Sequence, residues 1–163
     1  MKRIIRTRAA AALILSVGAL ALLAGASSSM AATTGPVTRT FSFIGKANGK
    51  TVTVVNIDSL LINARCDARG FPVVFAFSSA SAADLFGRVF DGLGRIHIIK
   101  NTSFTNRSAG VLLSTTSGDY DSSGTLLFET STGNVVTVAY AFDNSTTLNK
   151  RNVCTVFGSF IAS

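Results

Sequence analysis

The 163-residue chain has no tryptophan, one histidine, two prolines, two cysteines and two tyrosines. Each scarcity closes something off. Without Trp, no indole can pack on a disulfide in the immunoglobulin manner, and only Tyr120 and Tyr140 stand beside the phenylalanines as platforms for a sugar. With His97 as the only imidazole, there is no His-Glu-x-x-His zinc motif. No Gly-x-Ser-x-Gly elbow and no phosphate-cradling glycine loop occurs either. Charge is sparse: 15 basic and 8 acidic side chains, a formal net charge of +7.

Much of that charge sits at the start. Lys2, Arg3, Arg6 and Arg8 precede an uncharged run from Ala9 to Ala26, rich in Ala and Leu, and Ser29-Met30-Ala31 supplies small residues at alternate positions. This reads as an export signal spanning residues 1–31, cleaved before Ala32. The apolar run is short for a retained anchor and is diluted by Ser16, Gly18 and Gly25. Ala26 stands where a lipoprotein would need its cysteine, and the adjacent arginine pair of a twin-arginine signal is missing. The expected product is a secreted, extracellular domain of residues 32–163 that leaves the membrane after cleavage. Removal of the four basic residues leaves 11 basic against 8 acidic groups, a net charge of +3 with no run of more than two like charges. Such a chain carries no nucleic-acid or polybasic membrane footprint.

The remaining 132 residues suit one core. Their apolar pattern has period two almost throughout, which predicts strands near residues 40–44, 51–57, 60–66, 71–77, 85–90, 95–101, 110–114, 125–129, 135–142 and 153–161. Asn48-Gly49, Gly70, Asp91-Gly92-Leu93-Gly94 and Thr132-Gly133-Asn134 punctuate them. Short strands in this rhythm describe an all-β chain, an antiparallel β-sandwich or jelly-roll-like domain. Residues 81–90 are ambiguous, because Ser81 to Asp84 resembles a helix capping box. Gly87 and the Asp91–Gly94 turn favour a strand there. Ser, Thr, Asn and Gly fill positions that charges usually take, so a neutral, polar surface is expected.

Two cysteines in an exported protein imply one disulfide. Cys66 shares a strand face with Leu60 and Ile62, and Cys154 shares one with Val156 and Phe160. Both sulfurs should point inward and bridge the sheets. A redox-active pair would need a Cys-x-x-Cys spacing that is absent.

Catalytic groups are few, and none is assigned. His97 reads as a half-exposed strand residue on an outward face, and Glu129 likewise. Carboxylate pairs for glycoside hydrolysis can be drawn only by free choice among Asp58, Asp67, Asp84, Asp91, Asp119, Asp121, Glu129 and Asp143. The string Asp119-Tyr120-Asp121-Ser122-Ser123-Gly124 matches the first half of a calcium loop, but Thr130 stands where the bidentate glutamate belongs. A polar hairpin loop explains the same residues, so neither a metal nor a cofactor is expected. Asn-x-Ser/Thr triplets at Asn101, Asn106 and Asn144 matter only in a eukaryotic secretory pathway.

The order Leu60-Leu61-Ile62-Asn63-Ala64-Arg65-Cys66, Val73-Val74-Phe75-Ala76-Phe77, Gly124-Thr125-Leu126-Leu127-Phe128, Gly133 to Val138 and finally Cys154 with Gly158 resembles a group of uncharacterised, secreted, single-disulfide β-sandwich proteins of actinobacteria. The resemblance implies a fold and an extracellular address and brings no activity with it. The expected function is a non-catalytic extracellular or cell-surface module whose partner is an extracellular protein or envelope component. The alternatives are a secreted hydrolase or sugar-processing protein with a dispersed site, and a calcium-binding β-domain using residues 118–124.

Overall fold

The computed structural model describes residues 35–114, 121–143 and 153–163. Ten strands run in chain order among them: β1 (Val37–Lys46), β2 (Val52–Ile57), β3 (Leu60–Cys66), β4 (Pro72–Ser78), β5 (Ala83–Phe90), β6 (Ile96–Asn101), β7 (Val111–Leu112), β8 (Ser122–Thr130), β9 (Val135–Asp143) and β10 (Val153–Ala162). Every predicted strand is present, and the described residues contain no helix. The ambiguous segment is β5, with Gly87 set between Ile99 and Leu126 in the sheet. The export signal lies outside the described residues.

The strands form two antiparallel sheets. One has six strands in the order β1-β10-β9-β8-β5-β6, the other four in the order β2-β3-β4-β7. Side chains alternate across a strand, so each sheet turns one face to the other, and the shared interior is apolar. The six-stranded sheet contributes Leu85, Val89, Leu126, Phe128, Val136, Val138 and Val156; the four-stranded sheet contributes Val55, Leu60, Ile62, Ala64, Val74 and Ala76. This is a β-sandwich. β8 shows the period without a flaw, buried and exposed residues alternating from Ser122 to Thr130.

Cys66 on β3 and Cys154 on β10 form the expected bridge, fully buried, with Cα atoms 5.8 Å apart. It ties the two sheets together across 88 residues of sequence.

Two features go beyond the sequence reading. The apolar pattern sets Phe71, Val73, Phe75 and Phe77 together on one side of their strand, and that side is not the core side: β4 buries Val74, Ala76 and Ser78 instead. Directly paired residues of an antiparallel ladder share a face. Because β3 points Leu60, Ile62 and Ala64 inward, their partners Ser78, Ala76 and Val74 must follow. The rings lie half-buried on the other side, where Phe75 meets Phe77 and Phe77 packs on the bare face of Gly110. The second is Phe104. It belongs to no strand, yet it is completely buried, held by its N–H to Ala83 O at 2.9 Å, with its ring edge-on to Phe128.

Candidate functional site

The outer face of the six-stranded sheet is where the molecule is least like the surface its composition suggests. Strand register places its side chains in rows that cross all six strands. One row runs Thr38, Ile161, Thr137, Leu127, Phe86, Lys100. The next runs Thr40, Ser159, Ala139, Thr125, Arg88, Ile98, and the third Ser42, Phe157, Ala141, Ser123, Phe90, Ile96. Arg88 and Lys100 are the charged members of these rows, and both are cationic. Phe157 and Ile161 are 46% and 49% exposed, and Phe90, Leu127, Ile96 and Ile98 are exposed beside them. An apolar area shared among neighbouring strands marks interaction surfaces more than scattered single residues do.

Small residues shape this face. Thr40, Ser42, Ala139, Ala141 and Ser159 surround Phe157 and leave a shallow hollow of about 640 Å³. A second hollow of about 310 Å³ shares Ala141 and Phe157 with it and reaches Phe90, Asp91, Asp121 and Asp143. Apart from Arg88, the face is thus neutral and apolar in the middle, with carboxylates toward one end and Asp84 and Glu129 at the other.

The inner side of the same sheet explains Gly124. Tyr140 lies between Gly124 and Gly158 in the ladder, and a Cβ on Gly124 would meet the Tyr140 ring and hydroxyl at 2.5 Å. Gly124 is needed for that close approach and sits within β8, where Ser122 to Gly124 are already paired strand. The calcium-like string therefore ends as strand; Gly118, Asp119 and Tyr120 lie outside the described residues. Among the described residues, no three His, Cys, Asp or Glu side chains group as a metal site. The Tyr140 hydroxyl is buried without a hydrogen-bond partner among the described residues, and burial pushes its phenol upward.

Asp91 was visible in the sequence as a turn residue, but its burial and its partners come from the structure. Its side chain is fully buried at the β5–β6 turn. Oδ1 accepts the Leu93 N–H at 3.1 Å and the Arg95 N–H at 2.8 Å; Oδ2 accepts Arg95 Nε at 2.6 Å and lies 3.3 Å from His97 Nε2. Burial pushes this carboxyl upward. The hydrogen bonds from the Arg95 backbone, the Arg95 side chain and His97, with the Arg95 charge, overcome that and hold it at about 2. The Asp-x-x-Gly spacing is the signal that identifies such a turn.

His97 differs from its expected place. It pairs with buried Val89 and so belongs to the core-side face of β6, at the sheet margin, where its side chain stays 51% exposed. Asp91 orients the imidazole through Nε2, but among the described residues no hydroxyl or thiol is hydrogen-bonded to the ring. A nucleophile activated by that ring is therefore not part of the described geometry. Glu129 is exposed on the outward face of β8, as expected, opposite Asp84 and Val135. Asp67 lies in the β3–β4 turn, Asn101 ends β6 with its Oδ1 accepting the Ser103 N–H, Asn106 follows in the next connection, and Asn144 is outside the described residues. Family models, curated proteins and solved structures were all compared with the chain, and none matches.

Proposed function

We propose that the mature domain is a secreted, non-catalytic module that works outside the cell by contact through the outer face of its six-stranded sheet. The observation that carries this reading is the exposed apolar area around Phe157, Ile161 and Leu127, set among small neutral residues and two cations and bordered beyond Leu127 by Glu129. Burying such side chains against a partner removes apolar surface from water at roughly 25 cal/mol per Å². Partners with an apolar or uncharged surface, an extracellular protein or a neutral envelope component, suit this face. The inward disulfide suits an oxidising compartment, and the export signal supplies the address.

The test is a variant with Phe157→Ser, Leu127→Ser and Ile161→Ser. It should melt close to the wild type and lose its retention on isolated envelope fractions. Retention equal to the wild type would refute the role of this face. N-terminal sequencing of the exported protein should begin near Ala32; material that starts at Met1 in the membrane fraction would refute secretion.

A further inference from the structure

A sheet edge is a row of backbone donors and acceptors, and proteins usually blunt it. Three of the four edges here are blunted. β2 has a register shift between Thr53 and Val55. β7 is two residues long. β1 carries Arg39 and Lys46, and its Gly45 lies against the Cys66 sulfur. β6 carries Lys100 and His97 but has neither the shortness of β7 nor the register shift of β2. It is six residues long, lacks proline, and pairs with β5 in unbroken register.

The hairpin tells which of its groups are open. Asp91 N donates to Arg95 O at 3.0 Å, so hydrogen-bonded pairs recur at Val89↔His97, Gly87↔Ile99 and Leu85↔Asn101. Ile96, Ile98 and Lys100, between them, turn N–H and C=O away from β5. Among the described residues, no strand lies on that side.

We infer that this edge pairs with itself: two copies of the chain join antiparallel along β6, about a two-fold axis at Ile98, into one continuous sheet. The three open residues are centred on Ile98. An axis there sets Ile98 opposite Ile98 of the second copy and Ile96 opposite Lys100 on either side, which satisfies the row with about six hydrogen bonds. Side chains agree with the backbone. Ile98 is 68% and Ile96 56% exposed, and opposite residues share a face, so the outer apolar rows run on into the second copy. Charge does not oppose the pairing. The two Lys100 side chains start four residues apart, ~14 Å, and the two Arg88 side chains three strand spacings apart, also ~14 Å. Both exceed the screening length of ~8 Å at physiological salt.

Sedimentation of the purified chain over a wide concentration range tests this. The wild type should show a reversible dimer. Ile98→Lys sets two like charges on the axis and should weaken dimerisation at least about tenfold, whereas Ile161→Lys, on the same face but far from the edge, should leave it unchanged. Ile98→Cys should cross-link to itself on oxidation, because paired Cα atoms about 5.5 Å apart fall within disulfide range and both native cysteines are already bonded to each other. A monomer at every concentration overturns the inference. So does a dimer that Ile161→Lys abolishes and Ile98→Lys spares, since that marks stacking of faces. A dimer without envelope retention would keep this inference and remove the proposed function.

Discussion

The hairpin from β3 to β4 and the hairpin from β5 to β6 turn on the same five-residue construction, differently held. In each, an aspartate Oδ1 accepts two backbone N–H groups: those of Arg69 and Phe71 on Asp67, those of Leu93 and Arg95 on Asp91. In each, a glycine three residues on has positive φ, 87° at Gly70 and 79° at Gly94, and an arginine reaches Oδ2. Yet Asp67 is 23% exposed, with its arginine at 3.4 Å, whereas Asp91 is fully buried with Arg95 at 2.6 Å. The difference follows from their neighbours. The first turn follows directly on Cys66, whose disulfide anchors the end of β3 to the other sheet. The second leads to an open edge, and its own polar contacts must hold it. Similar local chemistry thus carries unequal weight, according to what else restrains the chain.

The largest effect should come from removing the anchor. The double variant Cys66→Ala with Cys154→Ala should lose about 2–5 kcal/mol in urea unfolding, and Asp67→Ala should cost more in that background than in the wild type. Equal costs in both backgrounds would break the comparison, because the disulfide would then not share the work of that turn. With the bridge intact, Asp91→Ala should lower the melting temperature more than Asp67→Ala does. The reverse order would show that burial of the carboxylate is not what separates the turns.

Gly94→Ala should cost about 1–2 kcal/mol, because a Cβ is disfavoured at left-handed φ although nothing lies within 4 Å of the site. Gly94→Asn should cost less, since asparagine tolerates that conformation better; equal losses for the two would place the cost elsewhere than in the backbone. Acid should expose the same turn. A carboxyl held at about 2 in the folded chain, below its ordinary 3.8, adds stability that is present above about pH 4 and lost as pH falls toward 2. Asp91→Asn should therefore be less stable at pH 7 and change less between pH 4 and pH 2, measured by thermal melts. The smallest effect is expected for His97→Ala, below about 0.5 kcal/mol, because Arg95 holds the same Oδ2 more closely than the half-exposed imidazole does. A loss as large as that of Asp91→Ala would assign the turn to the imidazole.

The β-rhythm was legible because period-two burial writes itself into the chain. β3 buries Leu60, Ile62, Ala64 and Cys66, and β8 alternates over nine residues. The disulfide was legible for the same reason, both cysteines standing in inward register. The core side of β4 was not legible, because alternation groups its bulky residues on one side without saying that the other side faces inward. Phe104 gave no periodic signal, since it enters the core from a connection. The outer face was hidden because its apolar residues come singly, one or two to a strand, and only the lateral register of β10, β9, β8, β5 and β6 sets Ile161, Leu127 and Phe86 along one row. Asp91 was visible as a turn residue, but its burial and its pairing with Arg95 were not.

By itself the sequence determined where strands form and turn, and that Cys66 and Cys154 face inward, because these follow from alternation and turn chemistry within a few residues. Alternation separates the two sides of a strand without saying which side faces a partner. Only the tertiary structure decided that β4 buries Val74 and Ala76, that one of two similar turn aspartates is sealed from water, and that β6 ends its sheet. Those outcomes depend on which strands lie side by side, and pairing joins residues far apart in the chain, such as Phe41 with Gly158.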